Sequence, residues 1–258
     1  MNKERLRLES IAQYFSMKDG FNGYMNKYRV SKILELCEGE TVLDIGSADA
    51  FMAEALAPFF KRIVAIDGSI ELVERARARL QSQPHIELIH SLVEEFETDE
   101  RFDLVLLSFI LEHVADPISV IRKAAKFAPT IFVMVPNAKS LHRRIGVAMG
   151  ILTHMRDFSE EDKRQGHRRV YTEERLQTDL EAGDLYIDEL STFFIKPLSN
   201  AQMEQLDTKV ADALFAISRD LPGLGSMIYA KCRPMTEREI AARERLKRDM
   251  ERAERCLA

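Results

Sequence analysis

The stretch Thr41-Val-Leu-Asp-Ile-Gly-Ser-Ala-Asp-Ala-Phe51 decides the fold of this chain. Its first half is a short apolar run that closes on Gly46, which is typical of a strand that ends in a tight turn. Helical periodicity follows over 49–58, and the run 62–66, closed by Asp67, predicts a second strand. A strand, a helix and another strand in this order indicate a parallel pair joined by a crossover helix.

The same alternation continues along the chain and predicts a parallel α/β sheet with helices on both faces. Ser69 stands where an N-cap would begin the helix that follows the second strand. Further helices are expected over 69–82, 117–127, 172–182 and 201–218, and further strands over 86–90, 102–107, 130–135, 185–195 and 226–232.

Several segments of the chain do not follow this alternation of strands and helices. Residues 1–36 are predicted to form a helical lid, with helices over 5–16 and 23–37. Residues 37–233 are predicted to form the main domain. An aromatic-rich hinge is expected between the two lid helices, at Tyr14, Phe15, Phe21, Tyr24 and Tyr28. Within the main domain, 137–171 is predicted to be a polar, basic loop. Residues 234–258 read as a charged helix, for which a solvated tail with ion pairs such as Glu239–Arg243 is favoured over pairing with another helix.

The amino-acid composition and net charge argue against several classes of protein. The chain has 258 residues, of which 46% are hydrophobic, and this is enough for one sizeable core. The formal net charge of −5 argues against a nucleic-acid partner, and no apolar run is long enough to predict a membrane span. The N-terminus has no apolar region typical of a secretory signal, and the three cysteines are too scattered for a disulfide framework. A cytoplasmic protein is therefore expected.

A candidate ligand site lies at the carboxyl ends of the first two predicted strands, where open parallel sheets bind ligands. Gly46 allows a tight turn, and the small residue Ala48 keeps the next helix close to the turn. Asp67 follows at the spacing of roughly 20 residues that suits a ribose diol. Asp44 would repel a pyrophosphate, so a cationic nucleoside is favoured over a dinucleotide. Capping of the helix that begins near Ser69 is the alternative role for Asp67.

These motifs resemble those of the class I S-adenosylmethionine-dependent methyltransferases. Residues 42–56 are similar to their first motif, and 64–77 to their second motif, which carries a ribose-binding acid. Residues 86–117, with the string Leu-Glu-His-Val-Ala-Asp-Pro, are similar to the adenine loop and fourth strand of the branch that acts on ubiquinone precursors and small metabolites. The family usually has glycine where Ala48 and Ala50 stand here, and Ala50 is expected to crowd the methionine end of the site.

The resemblance implies a Rossmann-like, seven-stranded, mostly parallel sheet with the strand order 3-2-1-4-5-7-6. It also implies S-adenosylmethionine as the cofactor. The implied cofactor contacts lie at the strand ends: Asp44, Gly46 and Ala48 for the methionine portion, Asp67 and Gly68 for the ribose, Ser91, Leu92 and Val93 for the adenine, and Ser108 and Phe109 beneath the sulfur.

A local reversal of charge marks the expected acceptor side. Between residues 139 and 169 eight lysines and arginines stand against four acids, and three of the six histidines fall there. Arginine suits carboxylate or phosphate groups, so an anionic small-molecule acceptor methylated on oxygen is favoured over a merely solvated loop. The predicted acceptor contacts are Glu112, Asn137, His142, Arg143, His167 and Arg168.

His113 is the candidate general base, because imidazole titrates near neutrality, although a structural hydrogen bond would explain it equally well. The spacing of the histidines predicts no metal site. Two other functions stay open, namely an N- or C-methyltransferase of the same fold and a non-catalytic subunit that binds the nucleoside. A homodimer is compatible with the sequence.

Overall fold

A computed structural model describes residues 3–14 and 20–257, and Phe15 of the predicted hinge lies outside them. Two helices precede the sheet, α1 (Lys3–Ala12) and α2 (Gly20–Leu36). The next elements are β1 (Thr41–Ile45), α3 (Phe51–Leu56), β2 (Arg62–Asp67), α4 (Ile70–Arg79), β3 (Ile86–His90), β4 (Leu104–Ser108), α5 (Pro117–Ala124) and β5 (Thr130–Pro136). The last part comprises α6 (Leu141–Ala148), α7 (Glu160–Arg164), α8 (Glu173–Ala182), β6 (Leu185–Phe193), α9 (Asn200–Met203), α10 (Thr208–Ala216), a 3₁₀ turn (Ile217–Asp220), β7 (Met227–Pro234) and α11 (Glu237–Leu257).

The strands form one sheet in the order β3-β2-β1-β4-β5-β7-β6, which confirms the predicted order. β1, β2, β3, β4 and β5 run parallel, whereas β7 is antiparallel to both of its neighbours. The strand order reverses between β1 and β4, where Asp44 of β1 lies beside Leu106 of β4. The carboxyl ends of β1, β2 and β4 therefore meet at one edge of the sheet.

Apolar side chains alternate to both faces of the sheet, because helices cover both faces. On one face Val42, Leu104 and Phe132 pack in a cluster that includes residues of α2 and α3. On the other face Leu43 and Val105 pack in a cluster that includes residues of α5 and α8. In the part of the chain that is described, no helix is long and apolar enough to span a lipid bilayer.

The elements after β5 differ most from the expectation. The predicted loop 137–171 contains α6 and α7, and its ends are held side by side by an isolated bridge between Asn137 and Tyr171. The single helix predicted over 201–218 is interrupted between α9 and α10. The break follows from Asp207, whose side chain accepts a hydrogen bond from the Lys209 amide and begins a new helix.

Three of the aromatic residues predicted for the hinge, Phe21, Tyr24 and Tyr28, lie instead within α2. There the Tyr28 ring packs 4.9 Å from that of Phe194, measured between centroids. In the described part of α11, Glu239 and Arg243 do not form the expected ion pair with each other. Glu239 pairs with Arg233 at 2.7 Å, and Arg243 pairs with Asp184 at 2.5 Å, which fastens the start of α11 to the turn before β6.

Candidate active site

A cavity of about 1030 Å³, including its open mouth, lies at the carboxyl ends of β1, β2 and β4 and beneath α1. Sites for small molecules usually measure roughly 300–1,000 Å³. His113 lines the cavity, as does every residue assigned to the cofactor from the sequence, namely Asp44, Gly46, Ala48, Asp67, Gly68, Ser91, Leu92, Val93, Ser108 and Phe109.

The loop after β1 forms the floor of this cavity and is held in a tight conformation. Gly46 has a φ of 73°, and a Cβ there would lie 2.5 Å from Cδ1 of Ile110, so no larger residue fits. Ala48 and Ala50 also adopt left-handed conformations, with φ of 50° and 56°. Such a conformation costs an alanine roughly 1–2 kcal/mol, and strain of this kind is concentrated at binding sites.

Asp67 fastens this loop to the end of β2. One carboxylate oxygen accepts a hydrogen bond from the Ala48 amide at 2.8 Å, and the other accepts from the Ser69 amide at 2.8 Å. Ser69 is the N-cap of α4, as predicted, and its hydroxyl accepts from the Leu72 amide. Burial raises the pKa of Asp67 to about 6 despite the two amide donors, so the carboxylate is largely ionised at neutral pH.

Asp44 has a polar atom without a partner. Its side chain is 1% exposed, and among the described residues nothing hydrogen-bonds to its Oδ2 atom or to the Ser108 hydroxyl, which also lines the cavity. Burial and the nearby Asp67 charge raise the pKa of Asp44 to about 7. Because buried polar atoms are normally satisfied, this edge of the cavity indicates a ligand that brings a hydrogen-bond donor, and a cationic one would suit the two acids.

Helix α1 covers the cavity and is fastened at several points. The Glu9 carboxylate accepts from the Ser69 hydroxyl at 2.8 Å and from the Ile70 amide at 2.7 Å, at the start of α4. Arg7 donates to the carbonyl oxygens of His113 and Gly166, at 2.9 and 3.2 Å. Residues 3–12 therefore contact both the cofactor-side strand ends and the segment after β5.

His167 comes together with the neighbouring residues Glu112 and His113 beside the cavity, although it is far from them in the sequence. One ligand atom from each lies within 4.8 Å of the others, an arrangement that can hold a metal ion and that the spacing of the histidines did not predict. The positive charges of Arg7 and Arg169 act on this cluster and disfavour a bound cation. Burial and the nearby His167 lower the pKa of His113 to about 3, and burial raises that of Glu112 to about 7.

The residues predicted to contact the acceptor lie outside the lining of the cavity. The Arg143 guanidinium is enclosed by its own segment: it pairs with Asp162 at 3.0 Å and donates to the carbonyl oxygens of Met155 and Asp157. Asp162 also pairs with His167, at 3.1 Å. These contacts hold the segment 155–167 together.

Three other residues were predicted to contact the acceptor, namely Asn137, His142 and Arg168, and they lie outside residues 155–167. Arg168 pairs with Glu4 of α1 at 2.6 Å. The Asn137 side-chain amide donates to the carbonyl oxygens of Gly223 and Gly225 at 3.1 and 2.8 Å. The Nδ1 atom of His142 is buried and has no hydrogen-bond partner among the described residues. Contact between any of these side chains and an acceptor stays a prediction.

Arg29 is a candidate site residue that the sequence reading did not include. Its guanidinium is 5% exposed, lies 4.6 Å from the Phe109 ring centroid and donates to Asn26 Oδ1 at 2.9 Å. No carboxylate forms a salt bridge with it among residues 3–14 and 20–257, and burial lowers its pKa to about 9. The charge of the Glu112 carboxylate acts on Arg29 without a salt bridge, and a buried arginine that lacks a salt bridge is unfavourable unless a ligand supplies the anion. The sequence signal for Arg29 was weak, because the same helix also carries Lys27 and Lys32.

Comparison with known proteins gives a consistent result. Residues 21–190 match a family described as a methyltransferase domain. The nodulation protein S of Rhizobium tropici is 33% identical over 86 residues, which are 33% of this chain and 36% of that protein. The ubiquinone biosynthesis O-methyltransferase of Aliivibrio fischeri is 34% identical over 108 residues, which are 40% of this chain and 46% of that protein. The matched segments thus span less than half of the length of these relatives.

Solved structures show the same fold. The N-methyltransferase NodS of Bradyrhizobium japonicum, in complex with S-adenosyl-L-homocysteine, superposes with a TM-score of 0.56 at 18% identity and covers 90% of this chain and 99% of its own. A methyltransferase of Aquifex aeolicus described as dependent on S-adenosylmethionine has a TM-score of 0.56 at 15% identity and covers 88% and 97%.

Proposed function

The chain belongs to the class I S-adenosylmethionine-dependent methyltransferases, and we propose that it transfers a methyl group from S-adenosylmethionine to an oxygen of a small anionic acceptor. The observation that carries the transfer activity is the cavity at the strand-order reversal. It gathers the ten residues expected around the cofactor, and the unpartnered Asp44 oxygen lies at its edge.

The residues around the cavity fit the chemical groups of this cofactor. When bound, S-adenosylmethionine supplies a methyl group on a positively charged sulfur, which needs little further activation. We expect Asp67 to accept the ribose hydroxyls and Asp44 to accept the ammonium group. We expect Arg29, which is buried and forms no salt bridge with the described residues, to bind the carboxylate of the methionine portion. The protein then aligns the acceptor and excludes water.

The low basicity of His113 helps to indicate whether the acceptor must lose a proton during methyl transfer. An imidazole with a pKa of about 3 is neutral at physiological pH and is a weak base. A hydroxyl or ammonium acceptor must lose a proton during transfer, whereas a carboxylate or phosphate oxygen need not. The environment of His113 thus supports an acceptor that is already anionic, with His113 shaping the wall of the cavity.

Label transfer tests the proposed activity. The protein is incubated with S-adenosylmethionine labelled in the methyl group and with small-molecule fractions of a cell extract separated by anion exchange. We expect label to enter compounds of the anionic fractions and, for a carboxylate acceptor, to be released as methanol by mild alkali. The variant Asp67→Ala is the control for uncatalysed transfer. Label found only in alkali-stable cationic compounds would indicate N-methylation and contradict the proposed acceptor class.

We further propose that residues 1–36 act as a lid rather than as a separate domain. The variant Glu9→Gln removes the charge that fastens α1 to the start of α4. Hydrogen bonds to charged groups contribute roughly 1.5–3 kcal/mol each, so we expect S-adenosylhomocysteine to dissociate at least about tenfold faster. Stopped-flow displacement measures this rate. Glu38→Gln, an exposed position, is the matched control, and equal rates in the two variants would rule out a lid held by Glu9.

A further inference from the structure

Residues 166–169 lie against the loop that follows β4, from which His113 and Val114 line the cavity. The Arg169 guanidinium donates to the carbonyl oxygens of Leu111 and Val114, at 2.5 and 2.6 Å. A stretch that comes more than 50 residues later in the chain therefore supports one wall of the cavity from behind.

The contact between this stretch and a cavity-lining side chain is made by His167. Its ring packs edge-on against the ring of His113, with the two centroids 4.7 Å apart and the ring planes at 81°. The His167 side chain is 6% exposed and does not itself line the cavity, whereas His113 does. Any effect of His167 on a bound ligand must therefore pass through His113.

Asp162 holds the His167 ring from its other side. The Nδ1 atom of His167 lies 3.1 Å from Oδ1 of Asp162. The other carboxylate oxygen of Asp162 accepts from the Ser159 amide at 2.7 Å and pairs with Arg143 at 3.0 Å. Because the carboxylate is fastened in this way, the His167 ring is fixed both by its hydrogen bond and by its packing.

The charges around the two rings agree with this arrangement. Burial lowers the pKa of His167, but the hydrogen bond with Asp162 and the charge of Glu112 outweigh burial, so the pKa lies above its ordinary value. At His113 burial acts first, and the charges of His167, Arg7 and Arg169 also oppose a proton on the ring.

A neutral His113 suits the proposed cofactor. An imidazolium that lined the same cavity would repel the positively charged sulfur, whereas a neutral ring does not. Glu112 is the acidic side chain in the cluster with the two histidines, and the charge of His167 offsets it.

We propose that His167 is a positioning residue for methyl transfer: fastened to Asp162, it holds the His113 ring edge-on in the cavity wall. This inference rests on the proposed function, and it does not depend on which acceptor is methylated. It assigns the influence of the segment after β5 on the cavity to His167, whose contact with a lining residue is direct.

Nuclear magnetic resonance of the histidine rings in the full chain tests the contact without any acceptor. The variant His167→Asn keeps a donor for Asp162 but lacks the ring and its charge. We expect it to shift the His113 signal at pH 8 and to raise the titration midpoint of His113 by roughly one pH unit. His154→Asn, which changes an exposed histidine of the same segment, is the matched control, and His113→Asn identifies the signal.

Methyl transfer gives a second readout, with labelled S-adenosylmethionine and the anionic fractions of the cell extract. At pH 8 His167→Asn should slow transfer roughly tenfold, because the wall that aligns the acceptor is misplaced. The affinity for S-adenosylhomocysteine should stay within about twofold. In a His113→Asn background the same change should add nothing, since His167 acts through the missing ring.

An unchanged His113 signal in folded His167→Asn would overturn the positioning role, as would losses of transfer that simply add in the double variant. If His167→Asn does not fold, His167→Gln replaces it in both measurements. Failure of S-adenosylhomocysteine to bind the unmodified protein would instead overturn the proposed function, and the ring contact would still be tested by the resonance shifts.

Discussion

Replacing Asp67 by alanine is expected to weaken S-adenosylhomocysteine binding by roughly 10- to 100-fold, the largest effect of any single change in the cavity. In the proposed function the carboxylate accepts two ribose hydroxyls, and hydrogen bonds to a charged group contribute roughly 1.5–3 kcal/mol each. The same oxygens accept from the Ala48 and Ser69 amides, so the loop after β1 should also loosen. Titration calorimetry measures the affinity, and circular dichroism shows whether the variant is folded.

Ligand analogues separate the ribose contact from a general loss of structure. Methylthioadenosine keeps the ribose and adenine but lacks the amino-acid portion, so Asp67→Ala should weaken it as much as S-adenosylhomocysteine. Arg29→Met should show the opposite pattern, with weaker S-adenosylhomocysteine and unchanged methylthioadenosine, since its partner would be the missing carboxylate. The exposed Asp99→Ala is the control. An unchanged affinity in folded Asp67→Ala would exclude the ribose role.

Asp44→Asn is expected to weaken cofactor binding and to reduce its pH dependence. Burial and the charge of Asp67 raise the pKa of Asp44 to about 7, so a substantial fraction is protonated at neutral pH. An ammonium group binds the ionised carboxylate, and the affinity of the unmodified protein should therefore rise between pH 5.5 and 8. The asparagine variant should bind weakly over the whole range, with a shallower slope that reflects Asp67. A parallel slope in both proteins would contradict the assignment.

The free energy of unfolding should change in the opposite direction with pH. The ordinary pKa of an aspartate is 3.8, and the folded protein without ligand keeps a proton on Asp44 up to about pH 7. Between these values the folded state binds more protons than the unfolded state, so this stabilisation is present at low pH and is lost as the pH rises through 7. Urea unfolding at pH 5.5 and 8 should show this loss in the unmodified protein and a smaller one in Asp44→Asn.

The cofactor side of the site could be predicted from the sequence because its residues follow strand ends. Once the first, second and fourth strands are recognised as parallel neighbours, Asp44, Asp67 and Ser108 must meet at one edge of the sheet. The turn at Gly46 could also be predicted locally, because glycine is the residue type that favours a tight turn. The strand order was implied instead by the resemblance to the methyltransferase family, and the structure has that order.

The acceptor side could not be predicted in this way, because its contacts join segments of irregular structure. Arg143 looked available for a ligand, yet Asp162, which is placed by a capping box at the start of α7, already pairs with it. Arg29 had only a weak signal in the sequence, and only the packing of α2 shows that it is buried and forms no salt bridge with the described residues. Whether a buried cation forms a salt bridge depends on which acidic residues the fold brings near it. The hydrophobic periodicity of the sequence does not contain that information.

The bridge between Asn137 and Tyr171 has a consequence for how this enzyme can be rebuilt. The Ala138 amide donates to the Tyr171 carbonyl at 2.8 Å, so the chain leaves the sheet and returns to it at nearly the same point. A segment with adjacent ends is a module: its length and sequence can change without moving the strands on either side. We therefore expect chimeras that exchange residues 138–170 between relatives to keep the cavity at the carboxyl ends of β1, β2 and β4.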